Sequence, residues 1–203
     1  MAIETLHVLV EEPSMEAALQ NLLPKMLRVG IHAEIRQFRC KDDLLKQLPQ
    51  RLAGYAQWLP ASAMVLIILD RDDDDCIVLK NRLEQMAHTA GLGTRQAPVG
   101  RRFQVINRIA VEELEAWFFG DWVAVKAAYP KVEATIPNKA GYRDPDGIKG
   151  GTWEAMEREL QRKGYFKGGL RKLELARSIS VHMDVSSNRS QSFQCLRTAL
   201  ARL

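Results

Sequence analysis

The sequence predicts an α/β fold: a Rossmann-like core with a mostly parallel sheet of about four strands, followed by a helical C-terminal extension. Three observations carry this. β-rich runs alternate with helix-like segments over residues 1–125. One of those runs, Ala63 to Leu69 (AMVLIIL), is apolar without alternation, as a central strand covered on both faces must be. From Ala110 onward the pattern changes to helix after helix.

The elements follow in order. Leu6 to Val10 is a short buried strand, and Ser14 to Leu27 a helix with apolar residues at Ala18, Leu19, Leu22, Leu23 and Met26 and a kink or early stop expected at Pro24. Residues 31–38 alternate apolar and polar like a half-exposed strand. Lys41 to Trp58 reads as a helix interrupted around Pro49 and Gly54. After the central strand, Asp75 to Ala90 is a helix stopped by Gly91, and Phe103 to Ile109 is the fourth strand. Helices are expected at Glu112–Phe119 and Asp121–Tyr129, then a Pro-, Gly- and Lys/Arg-containing loop over 130–151, then helices near 152–163, 169–182 and 189–202. In these last helices Trp153, Leu160, Leu170, Leu173 and Phe193 are expected in the core. Two parts are expected, a metal-binding core over 1–125 and a basic extension over 126–203 packed on it as one compact unit.

Composition narrows the function classes. No stretch approaches the ~20 apolar residues of a membrane span, and the first twelve residues, MAIETLHVLVEE, lack a basic leader. Cys40, Cys76 and Cys195 are far apart and without a C-x-x-C pair, so neither a disulfide framework nor a cysteine zinc site is supported. A cytoplasmic protein is expected. The net charge of +4 conceals an asymmetry: residues 126–203 carry 15 Lys+Arg against 8 Asp+Glu, whereas residues 1–125 carry 14 against 17. An acidic front and a basic back suit a metal site beside a polyanion-facing surface.

The carboxylates carry the chemistry. The buried strand runs into LDRDDDDC, with Asp70, Asp72, Asp73, Asp74 and Asp75 in succession. Ligand sites of open α/β sheets lie at the carboxyl ends of strands, which is where Asp70 and Asp72 emerge. Such a cluster of like charges calls for a cation, and all-oxygen donors favour Mg²⁺ or Mn²⁺. Asp73 and Asp75 are better placed to open the next helix, where carboxylates cap free amides. An EF-hand is excluded, because its required glycine falls on Asp75 and its closing glutamate on Asn81.

A second acidic group, Glu11, Glu12 and Glu16, ends the first strand and starts its helix. If strands one and three are neighbours, a strand-one glutamate faces Asp70 across about one strand spacing, ~5 Å. Glu16 equally suits a helix dipole. Glu115 shares a helix face with Val111, Phe118, Phe119 and Glu112, and a carboxylate there is costly unless bound to a metal or paired with a cation such as Arg108. No P-loop, dinucleotide fingerprint or nucleophile elbow is present.

V-E-E-P-S-M-E and a strand ending in D-R-D-D-D-D-C resemble the glutamate and D-x-D signatures of TOPRIM domains, found in topoisomerases, primases and OLD-type nucleases. With N-R-I-A-V-E-E-L-E-A-W-F-F-G-D, G-G-T-W-E, G-Y-F-K-G-G-L-R-K and N-R-S-Q-S-F added, nearly the whole chain resembles a bacterial TOPRIM-like family of unknown function, similar to the RloB-like and AbiL-type proteins often encoded beside ABC- or SMC-like ATPases in phage-defence loci. By that resemblance Glu11 matches the TOPRIM glutamate and Asp70 and Asp72 the D-x-D. Glu12 stands where the usual glycine follows, and Glu12 with Glu16 repeats an i, i+4 acidic spacing, so Glu11 and Glu12 are both candidates.

The resemblance implies a Mg²⁺- or Mn²⁺-dependent phosphodiester hydrolase acting on DNA or RNA, an antiviral-defence nuclease working with an ATPase subunit. Glu11, Glu12, Asp70 and Asp72 would be catalytic, with Glu16, Asp74 and Glu115 as further metal ligands. Lys139, Arg143, Lys149, Lys167, Arg171 and Lys172 are the candidates for holding the nucleic-acid backbone. A second copy of the chain is a further expected partner. Two other readings stand beside this one. One is a non-catalytic nucleic-acid- or partner-binding module; the other is a phosphatase with Asp70 as nucleophile and Asp72 as acid.

Overall fold

The computed structural model describes residues 2–100 and 103–203. Four strands, β1 (Thr5–Val10), β2 (His32–Gln37), β3 (Ala63–Asp70) and β4 (Val105–Ala110), form one all-parallel sheet in the order β2-β1-β3-β4. β3 is buried over its whole length, as its unbroken apolar run requires. β2, at the edge, keeps His32, Glu34, Arg36 and Gln37 exposed, which discourages pairing with another chain.

Alternation along the strands divides the interior in two. Leu6, Val8, Val10, Met64, Leu66, Ile68 and Ile106 face α1 (Pro13–Met26) on one side. Leu9, Val65, Ile67, Leu69, Val105 and Ile109 face α2 (Lys41–Trp58) and α3 (Cys76–Thr89) on the other. Because α1 and α3 leave adjacent strands toward opposite faces, a crevice opens between the carboxyl ends of β1 and β3. This is the topological switch point at which α/β sheets bind ligands.

α2 runs unbroken through Pro49 and Gly54, contrary to the interruption the sequence suggests. Leu44, Leu45, Leu48, Leu52 and Tyr55 form a continuous buried stripe, and its burial outweighs the hydrogen bond that proline removes. α1 likewise carries Pro24 inside it and ends two residues later. The fourth strand begins at Val105 rather than Phe103. At the end of α3, Gly91 takes a φ of 79° and its N–H reaches His88 O at 2.9 Å, the glycine stop the sequence indicates.

The remaining helices are α4 (Leu114–Gly120), α5 (Trp122–Ala128), α6 (Thr152–Gln161), α7 (Lys172–Ser180) and α8 (Gln191–Leu200), with three 3₁₀ turns in the loop before α6. α4 starts later than Glu112 because Glu112 has a φ of 60°, outside the helical range. α7 starts later than 169 because Gly169 has a φ of 105°. Residues 125 and 126, where the charge balance changes sign, lie inside α5. The α1 side of the sheet, α1 itself and α4–α8 share one apolar cluster, including Trp117, Phe118, Phe119, Leu160, Leu175 and Phe193. Leu160 and Phe193 are fully buried; Trp153 and Leu170 are half-buried, and Leu173 is exposed. No helix among the described residues is long and apolar enough to cross a membrane.

Candidate functional site

The crevice between β1 and β3 holds Glu11 and Asp70. Glu11 directly follows β1 and Asp70 ends β3, and parallel register sets Val10 beside Ile68. The two meet: Asp70 N–H donates to Glu11 Oε1 at 3.0 Å. Both residues are buried, and Glu11 Oε2 and Asp70 Oδ1 are left without a hydrogen-bond partner among the described residues. Buried carboxylate oxygens without donors are expensive. The expense shows in their acidity. Burial pushes Glu11 up to about 7, with the Asp72 charge adding and the Asp70 N–H and Lys41 opposing. Asp70 is raised well above the carboxylate range, first by burial and then by Glu11, Glu12, Glu115 and Asp72.

Glu12 lies one residue further out. Its backbone precedes α1 as the N-cap, and its carboxylate takes the Ser14 hydroxyl. Glu11 is therefore the residue bonded to Asp70, while Glu12 contributes its charge. Glu115 enters from the first turn of α4, fully buried, with both oxygens unpartnered. Burial raises it to about 7, with Glu113 and Glu12 adding and Lys172 opposing. Arg108 does not reach it; that guanidinium donates to Cys195 O at 3.2 Å and Asn107 O at 2.7 Å.

The other acidic candidates are differently occupied. Asp72 is exposed, has a φ of 48°, and meets Lys41 Nζ at 2.7 Å. Asp74 meets the same ammonium at 2.9 Å. Asp75 caps α3, accepting from Ile77 N at 2.8 Å and Val78 N at 2.9 Å. Asp73 is exposed. Glu16 sits in the first turn of α1, where its nearest side-chain partner is Gln20 at 3.4 Å.

Two lysines border the carboxylates. Lys172, the first residue of α7, stands 3.7 Å from Glu113 Oε1 and over the Trp153 ring. Burial lowers its pKa, but Glu115, Glu12, Glu113 and Asp70 together carry it above the ordinary lysine value. Glu113 in turn accepts from Thr152 Oγ1 at 2.9 Å and Trp153 N at 3.0 Å, tying the start of α6 to the start of α4. Lys41, at the start of α2, also donates to Arg71 O at 2.9 Å. The sequence reading missed Lys41. Its signal is topological: it follows β2, whose carboxyl end opens on the same rim as β1.

Of the other basic candidates, Lys139 lies 3.6 Å from Glu159, Arg143 donates to Asn138 O, and Arg171 bonds Glu174. Lys149 and Lys167 are exposed. Lys172 is the one of the six whose surroundings include Glu115 and Asp70.

Among the described residues, no three or more His, Cys, Asp or Glu side chains are gathered as a ready metal-ligand cluster. Two unpartnered, buried, hard oxygen donors on adjacent strand ends still fit a Mg²⁺-type ion, which is commonly held by one or two carboxylates and keeps several waters.

Fold and site together define an α/β protein with an acidic crevice at its switch point and a lysine brought to it from the helical lobe. The chain belongs to the family described as a domain of unknown function, DUF4276, which matches residues 10–201. No curated protein matches the chain. Among solved structures it is similar to the C-terminal region of the Burkholderia pseudomallei OLD protein, at 13% identity and a TM-score of 0.42, over 97% of this chain and 98% of that one.

Proposed function

We propose that the protein is a divalent-metal-dependent phosphodiester hydrolase, a nuclease whose ion is held by Glu11 and Asp70. The observation that carries this reading is the pair of unpartnered carboxylate oxygens, Glu11 Oε2 and Asp70 Oδ1, buried together at the switch point. Neither oxygen is satisfied by the described residues, and neither residue ionises easily in these surroundings. A cation resolves both problems. The motif resemblance of V-E-E and D-R-D to TOPRIM signatures supports the same assignment.

An Mg²⁺ or Mn²⁺ ion supplies charge stabilisation to a phosphoryl oxygen and a hydrolytic water at neutral pH. The chain's own groups do the rest. Glu11 is fixed by the Asp70 N–H on one oxygen, which leaves its second, buried oxygen as the donor for the ion. Lys172, from α7, supplies a cation suited to a non-bridging phosphate oxygen beside Glu113 and Glu115. Lys41, paired with Asp72 and Asp74, offsets part of the negative charge they would present to a polyanionic substrate. Attack of water oxygen on phosphorus breaks one P–O ester bond, and the departing oxygen leaves protonated. The substrate is DNA or RNA, and the ATPase subunit is a proposed partner on the resemblance alone.

The test is cleavage of labelled DNA and RNA by wild type, Asp70→Ala and Glu11→Gln with Mn²⁺, Mg²⁺ or EDTA. Metal-dependent cleavage by wild type that falls by roughly a hundredfold or more in both variants is expected. Equal cleavage by wild type and variants, or cleavage that persists in EDTA, overturns the assignment.

A further inference from the structure

A second cavity, of about 360 Å³, lies along β4, between α3 and the end of α8. It lies along the outer edge of the sheet, not at the crevice between β1 and β3. Part of its lining has an evident structural task. Lys80 Nζ at 3.0 Å and Arg108 Nη1 at 2.7 Å both bond Asn107 O, satisfying a carbonyl of the edge strand. Glu84 pairs with Lys80 and accepts the Asn107 amide N–H at 2.9 Å. Lys80 and Glu84 thus neutralise one another.

What remains is unbalanced. Arg95, Arg108 and Arg202 share the cavity; burial and then both other guanidiniums act against the Arg108 charge, while Cys195 and Glu84 act in its favour. Three guanidiniums lining one cavity make it attractive to an anion. Arg108 uses Nε and Nη1 on backbone carbonyls, which leaves the rest of a planar donor fork for a phosphate. Asn107 adds a second, independent demand. It is 1% exposed, its amide is oriented by Glu84, and its Oδ1 has no donor among the described residues. Phe103, on the same wall, is partly exposed and offers an aromatic face.

An anion for three guanidiniums, an N–H for one amide oxygen and a flat group for one phenyl ring describe a single ligand class. We propose that this cavity binds a nucleoside monophosphate, with its phosphate on Arg95, Arg108 and Arg202, its base against Phe103, and a base N–H on Asn107 Oδ1. The volume falls within the range of small-molecule sites. The same chemistry is offered by a free nucleotide and by the phosphorylated end of a nucleic-acid strand. The site is independent of the metal centre.

The experiment is calorimetric titration of the full chain in EDTA, so that no cleavage intervenes. The probes are AMP, GMP, CMP, inorganic phosphate, and a tetranucleotide with either a 5′-phosphate or a 5′-hydroxyl. Wild type is expected to bind at least one phosphorylated probe, with inorganic phosphate competing. The double variant Arg95→Ala/Arg202→Ala, altered at exposed positions, is expected to weaken that binding roughly tenfold or more with an unchanged circular dichroism spectrum. Phe103→Ala should weaken the nucleotides but not inorganic phosphate. Asp70→Ala should leave all affinities intact, which separates failure here from failure of the nuclease reading. Tighter binding of the mononucleotide identifies a free ligand, and tighter binding of the 5′-phosphorylated tetranucleotide identifies a strand end. Absence of binding at millimolar probe, equal binding by the double variant, or loss of binding in Asp70→Ala overturns the proposal.

Discussion

Glu115 shows what a single carboxylate contributes when it is buried without a donor. It is 0% exposed, and its neighbours in charge are Lys172, Glu113 and Glu12, with Asp70 also within its field. In the unfolded chain it titrates at its ordinary 4.5, and in the fold at about 7. Between those values the unfolded chain has lost the proton that the native state still holds, so stability falls as pH rises through this window and levels off above it. The loss from this group is of order 3 kcal/mol, at about 1.4 kcal/mol per pH unit. Urea unfolding at pH 5 and pH 8 should therefore show a smaller decline in Glu115→Gln than in wild type. The difference between the two pH values is the readout, because the new amide has its own unsatisfied N–H. Equal declines in the two proteins would mean that Glu115 is already ionised in the fold.

Single elements give the five closely spaced aspartates different surroundings. Asp70 ends a buried strand, whereas Asp75 stands at the N-cap of α3 with two backbone amides on one oxygen. Asp75→Ala should cost about 1 kcal/mol of stability, as loss of an N-cap does. Metal-dependent cleavage at saturating ion should be unchanged, and thermal melts with parallel nuclease assays check both outcomes. This division was legible beforehand, since a carboxylate just before a helix and one at the end of an apolar strand face different demands. So was the convergence of strands one and three, given their apolar runs and the Glu11 and Asp70 that follow. The ion pairing of Asp72 and Asp74 was not. It depends on Lys41, which is 29 residues before Asp70 in sequence and reaches the loop only because β2 lies beside β1. The continuity of α2 through Pro49 was also hidden. Helix propensity is a local quantity, and the buried leucine stripe that overrides it is tertiary.

The whole molecule couples the crevice to the helical lobe. α7 is locked onto α1 by Lys25, whose Nζ reaches Ser180 O at 3.1 Å, Val181 O at 2.8 Å and Met183 O at 2.9 Å. The first residue of that same α7 is Lys172. Because α1 follows directly from Glu11 and Glu12, one packed helix pair sets the lysine against the carboxylates. One apolar cluster joins sheet, α1 and lobe. An ion bound at Glu11 and Asp70 should therefore stabilise the entire chain in one transition. At a hundredfold excess over its dissociation constant, Mn²⁺ adds about 2.7 kcal/mol, or about 5–10 °C in Tm for a chain of this size. Asp70→Asn should lose that increment, yet in EDTA it should melt above wild type by a margin that widens as pH rises, because the substitution removes a carboxyl whose ionisation is opposed by burial and by the charges of Glu11, Glu12 and Glu115. Calorimetry of both proteins with and without Mn²⁺ checks the pair of signs. Stabilisation by Mn²⁺ that survives in Asp70→Asn would place the ion elsewhere, and a two-step melt would show that lobe and sheet hold their cores separately.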